Sequence, residues 1–295
     1  MQSSRHILVF HSHCPDGAAA AATALRAQRK AHLVYGQHEK IDQQVMDAAQ
    51  HVHEGGWLWI ADICCSRAAL EAACQTLVDR GGRLGVYDHH ISSSWLKDFQ
   101  LPGALKGEIH FDVQRCGARI FFEAQLTDNN ARLAPLTDFI DLTNDRDLWL
   151  NKKPASVDLS MLHTIYGDER YIQRFIKNPS TELSPEEKAL VAYERENLQR
   201  RTHRMLSEIK IKKDAAGHRY GVLVGEGKSS DVCNAALEKL DLAYVCMVDF
   251  NSGRVSLRSR DDTFNCAEFA LKKGGGGHAR AGGFPIPAIQ FDLHG

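Results

Sequence analysis

Three consecutive residues, Asp88-His89-His90, carry side chains that can bind a metal ion or a phosphate, and they follow the apolar run 82–87. Burying all three in a core would cost a large desolvation free energy, so they indicate either a functional site or a surface turn. The tripeptide alone does not decide between the two. Further residues of the same kind also follow apolar runs or a helix: His11, Asp16, Asp62 and Asp145. This shared placement favours a site.

The residue types indicate the chemistry of that site. Two histidines and three carboxylates offer nitrogen and oxygen donors, and they are His11, His89, Asp16, Asp62 and Asp145. Such a set suits Mn²⁺ or Mg²⁺, or less selectively Co²⁺, rather than the zinc of a thiolate site. If Asp62 bridges two ions, both the attacking and the leaving oxygen of an in-line displacement at phosphorus are stabilised. The sequence therefore predicts a dinuclear phosphate-ester site.

Alternating strands and helices in the first half of the chain would bring these residues together. Apolar runs predict strands at 6–10, 57–61 and 82–87, with helices at 18–28 and 66–80 after the first two. This alternation is typical of an α/β fold with a parallel sheet and helices on both faces. Sites in such sheets form at the carboxyl ends of the strands, where these histidines and aspartates fall.

A long helix is predicted over residues 185–209, because Ser184 and Glu187 form a capping box and Pro185 suits the first turn. Its charged outer face indicates an arm between two domains. A second, smaller α/β domain follows, with strands predicted at 220–224, 242–250 and 254–258 and helices at 231–240 and 265–272.

A run of four glycines, Gly274-Gly275-Gly276-Gly277, precedes His278 near the end of the chain. Glycine lets backbone N–H groups approach an anion closely, and the histidine adds a donor. Arg258, on a neighbouring predicted strand, can hold a phosphate with two hydrogen bonds. A flexible turn is the alternative interpretation. We favour phosphate or nucleotide binding by Arg258, Gly275, Gly276, Gly277 and His278.

The amino-acid composition limits the classes of molecule that the protein is expected to bind. The 295 residues carry 36 basic and 37 acidic side chains, a net charge of −1. Proteins that bind long nucleic acid usually have a basic excess, so we expect short nucleotide substrates and no long nucleic-acid track. No apolar stretch approaches the roughly 20 residues of a membrane helix. The eight cysteines form no C-x-x-C pair and are expected to be reduced, in a cytoplasmic protein without a membrane partner.

The order of these motifs resembles the DHH phosphoesterases that carry a carboxy-terminal DHHA1 domain. Asp88-His89-His90 matches the motif that names the family, and residues 11–17 (HSHCPDG) resemble its first motif. Asp62 resembles the second motif and Asp145 the fourth, while residues 115–118 (RCGA) resemble the small-residue turn between the third and fourth. Residues 256–259 and 274–284 resemble the substrate-binding signature of DHHA1. The resemblance covers nearly the whole chain.

The resemblance implies a role for each matching residue, with one departure. One metal ion would be held by Asp16, Asp62, His89 and Asp145, and the other by His11, Asp62 and water. His90, next to Asp88, would face the scissile phosphate, and Asp147 would support the site without binding metal. The usual first motif has two aspartates, and Cys14 takes the place of the first. Cys14 or His13 could substitute as a ligand, although a packed thiol is the favoured interpretation of Cys14.

The function implied is that of a Mn²⁺-dependent phosphodiesterase, with two ions and with Mg²⁺ or Co²⁺ as alternatives. Its substrates would be short linear oligoribonucleotides, especially dinucleotides such as pGpG, and its products nucleoside 5′-monophosphates. The alternatives are a cyclic-dinucleotide phosphodiesterase, a 3′-phosphoadenosine 5′-phosphate phosphatase and a catalytically weakened nucleotide-binding protein. The expected organisation is a DHH catalytic domain (1–150), a helical linker region (151–212) and a DHHA1 substrate-binding domain (213–295), with a homodimer as one expected assembly.

Overall fold

The computed structural model describes residues 4–286, apart from the side chains of residues 127–130. The chain forms two compact units, Met1–Glu194 and Arg195–Gly295. The predicted domain boundaries at residues 150 and 212 stay predictions. Within the described residues, no helix has the length and apolar character needed to cross a membrane.

The first unit contains a five-stranded parallel sheet with the order β2-β1-β3-β4-β5. Its strands are β1 (Ser4–His11), β2 (His32–Gly36), β3 (Val52–Ala61), β4 (Arg83–Asp88) and β5 (Lys106–Phe111). Residues 7–10 in β1 are fully buried, as expected for a strand covered on both faces. Strands β1, β3 and β4 were predicted. The edge strands β2 and β5 were missed because their half-exposed sequences lack a continuous apolar run.

Helices cover both faces of this sheet. They are α1 (Pro15–Ala27), α2 (Ile41–Ala49), α3 (Arg67–Arg80), α4 (Gly117–Leu133), α5 (Thr137–Asp147) and α6 (Pro154–Lys177), and a short 3₁₀ helix spans Ile91–Asp98. Five consecutive alanines, residues 18–22, are fully buried in α1, and their small size lets α1 pack closely against α4 and α6. Helix α6 lies within the residues of the predicted helical linker region (151–212), but no separate helix was predicted over its bounds. It is kinked at Gly167, where φ is 67°.

Helix α7 (Pro185–Ser207) runs across the boundary between the two units. The predicted capping box at its start is confirmed. The backbone N–H of Glu187 donates to the Ser184 hydroxyl at 3.2 Å, and the backbone N–H of Ser184 donates to the Glu187 carboxylate at 3.0 Å. These two bonds satisfy two amides that would otherwise have no partner at the helix start.

The second unit contains a six-stranded mixed sheet with the order β10-β11-β9-β8-β7-β6. Its strands are β6 (Lys210–Lys213), β7 (Arg219–Val224), β8 (Tyr244–Asp249), β9 (Arg254–Ser259), β10 (Gly276–His278) and β11 (Ala281–Pro285). Helix α8 (Ser229–Lys239) connects the parallel pair β7 and β8, and α9 (Cys266–Leu271) precedes the glycine run. The predicted α/β fold, with a parallel sheet and a second, smaller α/β unit, is confirmed.

Candidate active site

The carboxyl ends of three neighbouring strands carry the histidines and aspartates singled out in the sequence. Strand β1 lies beside β3, and β3 lies beside β4. In the register of these pairs, Phe10 lies opposite Ala61 and Ala61 opposite Tyr87, so all three strands end at the same level. His11, Asp62 and Asp88 therefore stand side by side at one edge of the sheet, as the sequence predicted.

Asp62 lies at the centre of a buried cluster. Its Oδ2 is 3.3 Å from His11 Nδ1, and its Oδ1 is 3.2 Å from His89 Nε2. The same His89 nitrogen is 3.8 Å from Asp16 Oδ2 and 3.6 Å from Asp147 Oδ2. The side chains of Asp16, Asp62 and His89 are each at most 1% exposed. One carboxylate thus contacts two imidazoles, and two further carboxylates approach the same nitrogen of His89.

Asp16 reaches the cluster from the first turn of α1, and the start of α4 holds it there. Its two carboxylate oxygens accept hydrogen bonds from the backbone N–H groups of Gly117, at 2.7 Å, and Ala118, at 2.9 Å. A Cβ atom on Gly117 would lie only 2.7 Å from the Cα of Asp62, so only glycine fits at that position. The small-residue turn noted in the sequence therefore lets α4 approach the site.

The pKa values of these groups are shifted because the groups are buried close to one another. Burial and the neighbouring carboxylates of Asp62 and Asp147 raise the pKa of Asp16 well above its usual value. Burial opposes the ionisation of Asp62, but the imidazoles of His11 and His89 hold its pKa well below the usual value. Burial disfavours a charged His89, yet Asp147 and Asp62 raise its pKa to about 10. Three carboxylates in so small a buried volume favour the binding of a cation.

The donors fit a metal centre. Ring nitrogens, carboxylate oxygens and a thiol form two groups, Asp16–Asp62–His89 and His11–Cys14–Asp62, and within each group the ligand atoms lie within 4.8 Å of one another. Asp62 belongs to both groups, which is the arrangement of a bridging carboxylate. Asp62 Oδ2 and His11 Nδ1 are buried, and neither makes a hydrogen bond. Buried polar atoms without a partner are rare in proteins, and a metal ion would provide that partner.

The structure places Asp147, and not Asp145, against His89. Both oxygens of Asp145 are engaged elsewhere: they accept from the backbone N–H groups of Lys152 and Lys153, and Oδ2 also accepts from the Ser156 hydroxyl at 2.7 Å. Asp145 thereby holds the start of α6. The prediction of Asp145 as a metal ligand and of Asp147 as a supporting residue does not match this geometry, because residues two apart on α5 face different neighbours.

Asp88 orients His90. The buried Asp88 Oδ1 lies 2.8 Å from His90 Nδ1 and also accepts from the backbone N–H of His89 at 2.8 Å. Burial opposes the ionisation of Asp88, but the two histidines lower its pKa to about 2. Burial disfavours a charged His90, yet Asp88 raises its pKa. Since Nδ1 is bound by Asp88, any contact of this ring with a phosphate uses Nε2.

Two residues outside the predicted motifs fix the loop between β1 and α1. Asp168, on α6, accepts a hydrogen bond from the backbone N–H of His13 at 2.8 Å, and its other oxygen lies 2.7 Å from His163 Nε2. His13 has a φ of 58° and Asp62 a φ of 59°, values that residues other than glycine rarely adopt. Strained backbone of this kind concentrates at functional sites. Asp168 and His163 could not be predicted as site residues, because no sequence pattern links them to the distant His13.

The glycine run of the second unit is structured. The backbone N–H of Gly274 donates to Leu271 O, and that of Gly275 donates to Ala270 O, so these two residues end helix α9. Residues 276–278 then form β10, paired antiparallel with β11. Gly277 has a φ of 136°. The flexible-turn interpretation does not fit this arrangement, and Gly275 has a structural role.

Arg258 lies in β9, opposite Ala281 of β11. Its guanidinium donates to the carbonyl of Leu257 and to the Ser230 hydroxyl at the start of α8. Burial lowers the pKa of Arg258. A half-buried guanidinium fixed by two partners beside a glycine-rich strand can offer its remaining N–H groups to an anion.

No family model matches the chain. Over 262 residues it is 25% identical to the oligoribonuclease NrnB of Bacillus subtilis strain 168. The match covers 85% of this chain and 64% of that protein, so the chain spans just under two thirds of the length of this curated relative.

Two solved structures are similar in fold. A DHH domain from a protein described as a member of a family of ribosomal proteins matches with a TM-score of 0.64 and 12% identity, over 96% of this chain and 82% of that one. An exopolyphosphatase-related protein from Bacteroides fragilis matches with a TM-score of 0.50 and 15% identity, over 97% of this chain and 87% of that one. The relative in sequence and the DHH domain in fold confirm the resemblance of this chain to the DHH/DHHA1 phosphoesterase family.

Proposed function

We propose that the protein is a metal-dependent phosphodiesterase that cleaves short linear oligoribonucleotides, dinucleotides such as pGpG above all, to nucleoside 5′-monophosphates. The observation that carries the proposal is the central position of Asp62, whose two oxygens contact His11 and His89 within a buried group of carboxylates. Such a group of nitrogen and oxygen donors suits a pair of divalent ions.

The ions would be held by His11, Asp16, Asp62, His89 and Asp147. We propose Mn²⁺, with Mg²⁺ or Co²⁺ as alternatives, since the donors are nitrogen and oxygen. When bound, a pair of such ions activates water and stabilises the charge that develops on the phosphate oxygens. Hydrogen bonds from Gly117 and Ala118 fix the Asp16 carboxylate. This ligand is therefore positioned before any ion or substrate arrives, which reduces the cost of reorganisation.

His90 would contact the scissile phosphate. Its hydrogen bond to Asp88 fixes the ring orientation and supports the charged form, because the Asp88 carboxylate raises the pKa of His90. A cationic imidazole attracts the phosphate and can donate a proton from Nε2. Asp88 would thus act as a positioning residue for His90.

Two observations favour short substrates: the net charge of the protein and its sequence similarity to an oligoribonuclease. The net charge of −1 means that the chain has no overall basic excess, which proteins that bind long nucleic-acid strands usually have. The similar protein from Bacillus subtilis is named an oligoribonuclease. In the second unit, Arg258, Gly275, Gly276, Gly277 and His278 are proposed to bind the substrate. A cytoplasmic location and a homodimer stay predictions from the sequence.

A time course with the purified protein tests the proposal. End-labelled ribonucleotides of two, three and five residues, a long RNA strand and a cyclic dinucleotide are incubated with Mn²⁺ and, separately, with EDTA. We expect fast cleavage of the dinucleotide that requires Mn²⁺, with the long strand intact.

The other outcomes lead to different functions. Stepwise degradation of the long strand would make the protein a general exonuclease, and cleavage of the cyclic substrate alone would make it a cyclic-dinucleotide phosphodiesterase. Binding of the dinucleotide without cleavage of any substrate would contradict the proposed activity and leave a nucleotide-binding protein.

A further inference from the structure

The two halves of the metal centre have different donors. Asp16, Asp62 and His89 offer only oxygen and nitrogen, whereas the group on the other side of Asp62 contains a thiol, that of Cys14. His11 and Cys14 flank the loop between β1 and α1, and one ligand atom from each lies within 4.8 Å of the other and of an Asp62 oxygen. Metal–ligand bonds of about 2.0–2.3 Å place neighbouring donors roughly 3–4 Å apart, so small side-chain shifts would close the group around one ion.

Cys14 is a poor cap for the helix that follows it. It occupies the position before the first turn of α1, where serine or aspartate would accept a backbone hydrogen bond, but its side chain makes no capping hydrogen bond. The next residue, Pro15, has no N–H to offer. The backbone carbonyl of Cys14 accepts from Ala18 N at 3.0 Å and so starts the helix. Because a thiol is a weak acceptor, serine or aspartate would cap this helix better than cysteine.

Each partner of Cys14 in this group has one buried polar atom without a hydrogen bond. His11 Nδ1 and Asp62 Oδ2 face each other at 3.3 Å, both are buried, and neither is hydrogen-bonded. Asp62 is 1% exposed, so water does not easily satisfy its oxygen. A cation held between these two atoms and the Cys14 sulfur would satisfy all three at once.

We propose that His11, Cys14 and Asp62 form a thiolate metal site that takes a borderline divalent ion, Co²⁺ or Zn²⁺, in place of one of the two Mn²⁺ ions of the proposed function, while the oxygen and nitrogen donors of Asp16, Asp62 and His89 take Mn²⁺. Thiolate ligands favour borderline and soft ions over Mn²⁺ and Mg²⁺. When the ion binds, the Cys14 thiol loses its proton to solvent and a metal–sulfur bond forms. The inference rests on the proposed function only in assuming that the strand-end cluster binds metal.

Cobalt spectroscopy of the metal-free protein tests this site without measuring activity. A Co²⁺–thiolate bond gives a charge-transfer absorption in the near ultraviolet that nitrogen and oxygen ligands do not give. We expect this band to grow to saturation as Co²⁺ is added to the natural protein. It should be absent from Cys14→Ser and Cys14→Asp and unchanged in Cys246→Ser, which removes a half-buried thiol from the second unit. Circular dichroism of each variant checks that it is folded.

A competition experiment measures the preference between ions. We expect Cys14→Asp to shift the ratio of Zn²⁺ to Mn²⁺ affinity toward Mn²⁺ by at least about tenfold, because oxygen replaces sulfur. Binding of Co²⁺ to the natural protein without the band, or a band that survives in Cys14→Ser, would overturn the proposal. Either result would leave Mn²⁺-dependent cleavage of a dinucleotide untouched, so failure here is distinguishable from failure of the proposed function.

Discussion

The strand-end cluster of the first unit and the glycine-rich strand of the second unit are both candidate binding regions, but they are built differently. In the cluster, charged side chains from separate elements contact one another, with Asp62 between His11 and His89. In the second unit, glycines bring two backbones together: a Cβ on Gly275 would lie 2.0 Å from Gly283 O. The first region depends on functional groups, whereas the second depends on the absence of side chains.

This difference decides how each region can be tested. A substitution that keeps the shape of a side chain but removes its charge should abolish metal binding by the cluster and leave the fold unchanged. An added methyl group should disturb the glycine-rich strand through its shape alone. If the two regions respond in the same way, the distinction between them is wrong.

The largest effect is expected for Asp62→Asn. The amide keeps the size of the carboxylate but removes the charge that both histidines contact, so we expect Mn²⁺-dependent kcat/KM on a dinucleotide to fall at least about a hundredfold. Titration calorimetry should show weaker Mn²⁺ binding. Asp47→Asn, on the exposed side of α2, is the matched control and should change neither quantity. Full activity in Asp62→Asn would contradict the assigned site.

A comparison of Asp147→Asn with Asp145→Asn tests which of the two aspartates serves the cluster. Asp147 contacts His89, so its variant should lose about tenfold or more in Mn²⁺ affinity and keep its stability. Asp145 holds the start of α6, so its variant should lose roughly 1–3 kcal/mol of unfolding free energy. Urea denaturation and metal titration of both variants provide the measurement. The reverse pattern would restore Asp145 as the ligand.

For the second unit, we expect Gly275→Ala to lower stability by roughly 1–3 kcal/mol, because the methyl group would collide with the backbone of β11. Gly274→Ala is the matched control: no atom lies within 4 Å of its Cβ position, and only the φ of 76° costs free energy, about 1 kcal/mol. KM for a dinucleotide should rise in Gly275→Ala while kcat changes little. Equal effects of the two substitutions on stability would show that close packing of β10 on β11 is not the reason for the glycine.

Site residues could be predicted from the sequence where a metal-binding or phosphate-binding side chain directly follows a strand. His11, Asp62 and Asp88 follow buried apolar strands, and the parallel sheet then brings them together. The choice between Asp145 and Asp147 lay beyond the sequence, because both are on α5 and the position of the start of α6 determines that Asp145 is engaged there. The role of Gly117 depends on its distance from Asp62, a contact between residues far apart in the chain.

The smallest effect is expected for Asp168→Asn, which tests whether α6 positions the loop that carries His11 and Cys14. Burial opposes the ionisation of Asp168, but His163 and the backbone N–H of His13 lower its pKa. Its ionised form therefore stabilises the fold above about pH 4, and this contribution is lost as the pH falls through the lowered pKa.

We expect the variant to lose roughly 1 kcal/mol of unfolding free energy at pH 7, with a difference from the natural protein that shrinks as the pH falls through the lowered pKa of Asp168. Urea denaturation over a series of acidic pH values, compared with pH 7, measures this. A positioning role further requires a lower kcat with little change in KM, because the loop that holds the metal ligands shifts and the substrate contacts remain. A stability loss with unchanged kcat would mean that Asp168 only anchors α6, and the cluster would then owe its geometry to the strand ends alone.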